Sequence, residues 1–349
     1  MKSFDPNKRA AKESGIFGLP FTVEEAKLVL LPVPWEVTTS YGGGASKGPQ
    51  AIFQASKQVD LFDAELGNFF MSGIAMVIES QDILKWNDLA RQIAQILVEV
   101  ENTLEPEDYK QRIETVNAYS TKLNQYVYAE TKHLLAEEKL VGVVGGDHST
   151  PFGAILAFLE KYPAMGILHI DAHADLRRAF EGFEHSHASI MYNVISKTAL
   201  NKLVQIGIRD YCEEEYDFIQ SNHQRIQTFF DATLAEQKMS GKHWSHLCDD
   251  IIKHLPQEVY ISFDIDGLDP RFCPNTGTPV PGGLDFNEAL LLIKKVVQSG
   301  RKIIGFDLNE VSPGNKTHET NEIATPAAEW DANVGARLLY KLCGWTMAS

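Results

Sequence analysis

Aspartate and histidine alternate in one short segment of the sequence, at a spacing that suits metal binding. The segment reads DAHAD over residues 171–175 and directly follows an apolar run at residues 166–170. In an extended chain alternate side chains share a face, so the three ligating side chains can converge on one point. We therefore predict metal ligands at Asp171, His173 and Asp175.

Two further segments place ligating side chains directly after apolar runs. The run at 259–263 leads into Asp264 and Asp266, and the run at 141–144 leads into His148. Taken alone, such a segment is more often a polar strand end or a helix cap than a ligand set. Ligands in open α/β sheets collect at the carboxyl ends of the strands, so all three segments together predict a metal site there.

Four carboxylates in one cleft need compensating positive charge. Their mutual repulsion would be severe in a buried site, and two divalent cations balance four negative charges. With two histidines the ligands are oxygen and nitrogen atoms without thiolate. Oxygen-rich ligation favours Mn²⁺, whereas imidazole also suits Ni²⁺ or Zn²⁺. We predict two divalent metal ions, with manganese as the first choice.

The elements that must position these residues show in the pattern of apolar runs. Six short runs are mostly uninterrupted rather than alternating, as is typical of parallel strands buried on both faces. They lie at residues 28–32, 141–144, 166–170, 203–207, 259–263 and 302–306. Helical stretches lie between or after them, at 150–161, 287–299 and 332–342. This alternation predicts an α/β fold in which a mostly parallel sheet is covered by helices.

The long polar segment at 82–139 is predicted to be helical. Its Glu105-Pro106-Glu107 sequence marks an interruption, because a proline ends one helix or opens the next. No linker rich in glycine, serine or proline flanks the segment. We therefore interpret residues 1–349 as a single domain with a helical elaboration at about 82–139.

Composition limits the classes of protein that fit. A chain of 349 residues with 44% apolar composition can bury a large core, and its four cysteines lack the spacing of a thiolate zinc site or a disulfide framework. The net charge of -15 disfavours nucleic acid and anionic membranes as partners and suits cationic ligands. The first 18 residues lack the apolar region of a signal peptide, and no run approaches the about 18 apolar residues that span a bilayer. We expect a cytoplasmic protein.

Three sequence blocks resemble, in order and spacing, the signature blocks of the ureohydrolase family of arginases, agmatinases and formimidoylglutamases. They are GGDHS at 145–149, DAHAD at 171–175 and SFDIDGLDP at 262–270. The resemblance continues through GTP at 277–279, the glycine pair at 282–283 and EVSP at 310–313. Upstream, SYGGGASKGPQAI at 40–52 is similar to the loop at the cleft entrance of that family. Nearly the whole chain outside 82–139 is covered.

The resemblance implies a three-layer αβα sandwich with a dinuclear metal centre. One metal ion would be held by His148, Asp171, Asp175 and Asp264. The other would be held by His173, Asp171, Asp264 and Asp266. Asp171 and Asp264 are then bridging ligands, and a hydroxide between the metal ions attacks the guanidino carbon of the substrate and releases urea.

The resemblance also assigns roles to residues around the metal centre. Asp175 would orient the hydroxide, and Glu310 would pair with the substrate guanidinium through a charge-assisted bond. His187 occupies the position of the family's proton shuttle, which protonates the leaving amine, with His185 as the competing candidate. Thr278, in the GTP block, is a further candidate for binding substrate.

The choice of substrate is less well defined than the reaction. Arginine-specific members read the substrate tail with an asparagine and a serine, whereas Arg177 occupies the asparagine position here and 178–186 does not reproduce the pattern. Arg177 could instead meet an acidic tail, as in formimidoylglutamases, or lie behind the site. The SHAS block at 186–189 is more similar to agmatinases and other guanidino-acid hydrolases.

The leading hypothesis is therefore a hydrolase of agmatine or another small guanidino amine or acid. Alternatives are a formimidoylglutamase that releases formamide, an arginase, a guanidine hydrolase, a deacetylase-like enzyme with one zinc ion, and a metal-binding scaffold without turnover. The six filled ligand positions favour two metal ions and an active enzyme. From the resemblance we also expect a homo-oligomer, a trimer or hexamer.

Overall fold

The computed structural model describes residues 4–39, 41–99, 105–313 and 330–349. Residue 40, which begins the predicted entrance loop, and residues 100–104 of the predicted helical segment lie outside the described residues. Within the described ranges, eight strands form one sheet in the order β2-β1-β3-β8-β7-β4-β5-β6. Every neighbouring pair is parallel.

All six predicted strands are present, and the structure adds two more. The strands are β1 (Leu28–Val33), β2 (Ile74–Met76), β3 (Leu140–Gly145), β4 (Gly166–Ile170), β5 (Lys202–Ile208), β6 (Ile226–Phe230), β7 (Glu258–Asp264) and β8 (Lys302–Asn309). The two that the sequence pattern missed, β2 and β6, are the edges of the sheet. Strand β2 has only three residues, and β6 contains the polar residues Gln227 and Thr228, so neither contains a long apolar run.

The described residues also form ten α-helices, including the three that the sequence predicted. They are α1 (Gly48–Ser56), α2 (Gln81–Glu99), α3 (Pro106–Ala136), α4 (Phe152–Lys161), α5 (Ile190–Lys197), α6 (Glu213–Ser221), α7 (Asp231–Met239), α8 (Trp244–Ile252), α9 (Phe286–Gln298) and α10 (Trp330–Ala348). The predicted interruption of the helical segment falls between α2 and α3. Pro106 opens α3 at its first turn, where the missing N–H has no helical acceptor to lose.

Helices cover both faces of the sheet. On β1, Leu28 and Leu30 pack into the apolar cluster that includes Leu292 of α9 and Leu338 of α10. The next residue, Leu31, faces the other way and shares a cluster with side chains of α2 and α3. Burial on both faces explains why the strands read as uninterrupted apolar runs. The predicted α/β sandwich with a parallel sheet is confirmed.

The four central strands end side by side. Ile170 of β4 is in register with Phe263 of β7, Asp264 of β7 with Asn309 of β8, and Leu308 of β8 with Val144 of β3. The residues that follow these strand ends therefore meet at one edge of the sheet. In the described part of the chain, no helix combines the length and apolar character needed to cross a membrane.

Candidate active site

The ring nitrogen Nδ1 of His148 lies among three carboxylates at the carboxyl ends of β3, β4 and β7. It is 3.0 Å from Oδ2 of Asp171, 3.3 Å from Oδ2 of Asp175 and 3.1 Å from Oδ2 of Asp264. All four side chains are almost completely buried. The structure thus brings together four of the six predicted ligands.

Hydrogen bonds on the far side of His148 assign the proton of its neutral ring to Nε2. Ser262 Oγ donates to Asp307 Oδ1 at 2.9 Å, so the hydroxyl accepts from His148 Nε2, which is also 2.9 Å away. Nδ1 of the neutral ring then presents a lone pair, and this buried atom has no hydrogen-bond partner among the described residues. A lone pair that faces three carboxylates favours a cation at Nδ1. Burial opposes the charged ring, but Asp171 and Asp264 outweigh it and raise the pKa of His148 well above its usual range. A cluster that favours positive charge at this nitrogen fits a metal ion.

A second group of ligating atoms adjoins the first through Asp171. His173 Nδ1 lies 3.1 Å from Asp266 Oδ2 and 3.6 Å from Asp171 Oδ1, whereas the other oxygen of Asp171 faces His148. Asp171 thus presents one oxygen to each group, as a carboxylate that bridges two metal ions does. All six predicted ligands lie in this cluster. The bridging roles of Asp171 and Asp264 stay predictions.

The pKa values of the cluster show how strongly negative charge accumulates there. Burial, followed by the charge of Asp171, raises the pKa of Asp175 well above its usual range, and burial together with Asp266 does the same for Asp264. Burial opposes the charged form of His173, but the carboxylates of Asp266 and Asp171 outweigh it and raise its pKa to about 12. Added positive charge is therefore strongly favoured in this cluster.

His169 lies behind the cluster with both ring nitrogens partnered. Gln205 Nε2 donates to its Nδ1 at 3.0 Å, so Nε2 carries the proton and donates to Asp171 Oδ2 at 2.8 Å. The amide of Gln205 is held in turn by the carbonyl of Ala174 and the hydroxyl of Thr228. This buried chain orients Asp171, and it gives His169 the character of a hydrogen-bonded core histidine.

Two acids of the site have left-handed backbone conformations, which non-glycine residues rarely adopt. Asp175 has φ 55° and Glu310 has φ 61°. Such conformations cost about 1–2 kcal/mol each and concentrate at functional sites. Around Glu310 the backbone is held by its own N–H, which donates to Gly146 O at 2.8 Å, and by its carbonyl, which accepts from Thr276 Oγ1 at 2.9 Å.

The carboxylate of Glu310 lies between the cluster of predicted metal ligands and the mouth of the cleft. Its Oε1 accepts from the backbone N of His148 at 2.9 Å. A side chain placed on Gly277 would lie 3.7 Å from Oε2, so the other oxygen faces the GTP segment. Burial, followed by the charges of Asp264 and Asp147, raises the pKa of Glu310 well above its usual range. A cationic group beside this acid would relieve that repulsion.

The two candidate shuttle histidines have different surroundings. His187 Nδ1 lies 3.5 Å from Thr38 Oγ1. Burial lowers the pKa of His187 to about 4, and the rings of His173 and His148 act in the same direction. His185 instead contacts Asn124 of α3, 3.2 Å from its Nδ1, and burial followed by the charge of Lys197 lowers its pKa to about 4. The choice of His187 as the proton shuttle stays a prediction.

Arg177 lies beside an acid of the protein itself. Its Nε is 3.7 Å from Glu215 Oε2, and its guanidinium lies 5.1 Å from the centre of the Phe180 ring. The edge of that ring packs against His187, with 5.9 Å between ring centres. Because Glu215 already balances its charge, Arg177 is poorly suited to an acidic substrate tail. Direct contact between Arg177 and substrate stays a prediction.

Thr278 is half-buried and follows Gly277 at the cleft mouth. Gly277 packs closely on Gly42 of the entrance loop, where an added Cβ would come within 2.5 Å of Gly277 O. Gly42 has φ 70°, so both its conformation and its close contact require glycine. The GTP segment and the entrance loop therefore meet directly beside Glu310. The role of Thr278 in substrate binding stays a prediction.

The sequence interpretation missed the residues that support the ligands. Ser262 and Asp307 hold His148, and Glu36 accepts hydrogen bonds from the entrance loop. A signal for two of them was present, because Asp307 interrupts an apolar strand buried on both faces and Glu36 follows β1 as the ligands follow β3, β4 and β7. Ser262 gave no signal, since a serine in a strand is common.

A parallel α/β sandwich with a cluster of histidine and aspartate at its carboxyl edge defines a class of metal-dependent hydrolases. Comparison with known proteins narrows that class. The sequence profile of the Arginase family matches residues 26–334. Among curated relatives, an N(1)-aminopropylagmatine ureohydrolase of Thermus thermophilus is 31% identical over 84% of this chain and 86% of its own length. An agmatinase of Halalkalibacterium halodurans is 27% identical over 86% and 89%.

A solved structure shows the same fold. The proclavaminate amidino hydrolase of Streptomyces clavuligerus superposes with a TM-score of 0.71 at 24% identity, covering 98% of this chain and 99% of its own. This chain belongs to the arginase family. It is accordingly a hydrolase that acts on C–N bonds, as the names of its ureohydrolase and amidinohydrolase relatives state for them.

Proposed function

We propose that this protein hydrolyses the guanidino C–N bond of a small cationic substrate to urea and an amine. The substrate is agmatine or another guanidino amine or acid. The observation that carries this proposal is the position of Glu310, a buried acid bound to the backbone of His148 and open toward the GTP segment. A guanidinium paired with this acid would place its central carbon beside the six ligating side chains.

The chemistry needs the metal ions for activation and the protein for positioning. Two divalent ions held by the six predicted ligands would supply an ionised water near neutral pH and polarise the guanidino group. We propose that Asp175 accepts a hydrogen bond from that water and that Glu310 binds two guanidinium N–H groups. The ring of His187 is neutral near pH 7 because burial lowers its pKa to about 4, so it would first accept the proton that the water loses and then pass it to the departing amine nitrogen. The amine then leaves neutral.

Two observations support a guanidino compound over a formimidoyl acid. Arg177 is paired with Glu215, so it offers little unbalanced charge to an acidic tail. The chain carries a net charge of -15, which attracts cations. The relatives named for aminopropylagmatine and agmatine act on cations of this kind. We propose manganese as the metal because carboxylate oxygens predominate among the ligands.

We also propose that the chain is a single cytoplasmic catalytic domain that assembles into a trimer or hexamer. The packing of the helical elaboration supports a single domain, because α2 and α3 share an apolar cluster with Leu31 and Val33 of β1. The assembly state is an inference from the family. Light scattering of the purified protein measures it directly, and a monomer at micromolar concentration would contradict it.

The test is a substrate panel assayed by product. The protein is stripped of metal, reconstituted with Mn²⁺, Ni²⁺ or Zn²⁺, and incubated with agmatine, aminopropylagmatine, arginine, guanidine, guanidino acids and formimidoylglutamate. We expect urea from a guanidino amine or acid and highest activity with Mn²⁺. Formamide from formimidoylglutamate, without urea from any guanidino compound, would overturn the proposal.

A further inference from the structure

The buried carboxylate of Glu36 accepts several hydrogen bonds from the entrance loop. It follows β1, and its side chain is 2% exposed. Its oxygens accept from the backbone N of Gly44 at 2.9 Å and of Ser46 at 3.0 Å. They also accept from the hydroxyls of Ser46 and Thr39, each at 3.2 Å. The conformation of this loop therefore depends on the position and charge of Glu36.

Glu36 forms an ion pair with Arg91, a residue of the helical elaboration. Arg91 of α2 places Nη1 3.2 Å from Glu36 Oε1 and donates to Thr39 Oγ1 at 3.1 Å. The same guanidinium donates to the backbone carbonyl of Glu36. One turn earlier on α2, Asn87 Oδ1 accepts from the backbone N of Glu36 at 2.7 Å. Helix α2 thus binds Glu36 through its side chain, its carbonyl and its N–H.

The segment that Glu36 organises touches the candidate active site from two sides. Thr38 Oγ1 lies 3.5 Å from His187 Nδ1, and Val37 N donates to Asp147 Oδ2 at 3.2 Å, directly before the ligand His148. On the other side, Gly43 O accepts from Ser312 Oγ at 2.9 Å, two residues after Glu310. This segment therefore spans the cleft from the shuttle candidate to the guanidinium-binding candidate.

We propose that Arg91 and Glu36 are positioning residues, through which α2 holds the entrance loop in the shape that substrate binding and proton transfer require. The proposal rests on the proposed function, because the cleft it shapes is the guanidino site. The physical reason is charge. A carboxylate buried this deeply needs its cation, and without Arg91 the loop must rearrange to hydrate Glu36. Both Thr38 and the contact between Gly42 and Gly277 would then shift.

The first test is kinetic. Arg91→Met is compared with Lys85→Met, which removes an exposed cation from the same helix, and with Arg91→Lys, which keeps the charge but not the planar fork. We expect Arg91→Met to lower kcat/KM about 10²-fold, the effect of about a 1 Å misplacement in a site. Metal content should stay that of the unaltered protein, and Arg91→Lys should recover part of the loss. The Lys85→Met variant should match the unaltered protein.

A merely structural role predicts a different pattern. Arg91→Met would then lower the melting temperature but leave kcat and KM unchanged when assayed well below that temperature. That result would overturn the proposal. If Arg91→Met does not fold, Glu36→Gln decides. This substitution keeps the shape of the side chain and removes the charge that Arg91 balances, so unchanged kcat and KM in that variant would overturn the proposal.

A second readout does not depend on activity. Hydrogen exchange of the peptide covering 36–48 should accelerate about tenfold or more in Arg91→Met, whereas peptides from β4 and β7 should exchange as before. Equal exchange in Arg91→Met and Lys85→Met would contradict the proposed role of the pair. Absence of guanidino hydrolysis in the unaltered protein would instead reject the proposed function and leave the exchange result valid.

Discussion

Asp266 belongs to the second group of ligating atoms, and its carboxylate has two separate contacts. Oδ2 faces His173 Nδ1 at 3.1 Å, and Oδ1 accepts from the backbone N of Ala172 at 3.1 Å. An Asp266→Asn substitution preserves the shape of the side chain and removes its charge. It therefore separates metal binding from packing at a single residue.

We expect Asp266→Asn to bind one metal ion fewer per chain and to lose about 10³-fold in kcat. Several kcal/mol of charge stabilisation would be missing, and each 1.4 kcal/mol is about a factor of ten. Elemental analysis and urea release measure the two effects. The matched control is Asp250→Asn, a half-exposed acid on α8 that pairs with Lys242 and Lys253. Unchanged metal content and activity in Asp266→Asn would contradict a dinuclear centre.

The two candidate shuttle histidines can be separated by truncation. We expect His187→Ala to lower kcat by about 10²–10⁴-fold, the usual contribution of general acid–base catalysis, and imidazole in solution to restore part of the activity. His185→Ala should leave kcat close to that of the unaltered enzyme, because His185 contacts α3. A larger loss in His185→Ala than in His187→Ala would reverse the assignment.

Strands β7 and β8 together support the ligand His148, which follows a third strand, β3. Ser262 of β7 and Asp307 of β8 are in register and bonded to each other, and Asn309 Nδ2 donates to Asp307 Oδ1 at 2.6 Å. The imidazole ring is thus oriented by a hydrogen-bonded pair that spans two strands. Such supporting contacts govern metal affinity as well as ligand geometry.

Loss of this support should weaken metal binding without removing a ligand. We expect Ser262→Ala to raise the metal dissociation constant about 10–100-fold, because the ring of His148 is no longer oriented. Isothermal titration of stripped protein measures this constant, and Ser299→Ala, at the end of α9, serves as the control. Equal metal affinity in both variants would show that packing alone orients His148.

Strands that are buried on both faces could be predicted from the sequence, whereas edge strands could not. Runs such as 28–32 are apolar without interruption because helices cover both faces, so these strands, and the ligands that follow three of them, could be predicted. Strand β2 has only three residues, and β6 contains Gln227 and Thr228 between its apolar residues, so neither stood out. Edge strands need fewer apolar side chains because less of their surface is covered.

The site was predictable where ligands follow strands and unpredictable where they depend on contacts across the fold. The ligand blocks lie at fixed spacings after apolar runs, whereas the pair formed by Glu36 and Arg91 joins positions 55 residues apart. The left-handed backbone of Asp175 and Glu310 was likewise hidden, since such conformations are imposed by tertiary hydrogen bonds rather than by residue type.

The whole molecule should respond to pH differently with and without metal ions. Burial raises the pKa of Asp147 and Asp307 to about 6, and for His173 the carboxylates outweigh burial and raise the pKa to about 12. A raised pKa means that the folded state binds the proton more tightly, so its stabilisation is lost as pH rises. For the two acids this occurs between about pH 4 and 6, and for His173 above about pH 6.5. Asp171 acts oppositely, because burial is outweighed by His169 and His148, which lower its pKa.

Metal-stripped protein should therefore lose stability as pH rises from 5 to 8, whereas metal binding requires deprotonated carboxylates and strengthens over the same range. We expect the stabilisation by Mn²⁺, about 2.7 kcal/mol at 100 times the dissociation constant, to grow with pH. Thermal unfolding with and without chelator measures the difference. A stabilisation that is constant or shrinks toward pH 8 would contradict the proposed charge balance.

The position of β8 in the sheet has a consequence for synthesis of the chain. This strand is the last in sequence among the described residues, yet it lies between β3 and β7 in the centre of the sheet. Until the ribosome has released residues 302–309, the nascent chain carries two half-sheets, each with an unpaired backbone edge. The backbone N of His148 likewise has its acceptor, Glu310, 162 positions later in the chain. The candidate active site can therefore assemble only after residues 302–310 have left the ribosome, when β8 joins β3 and β7.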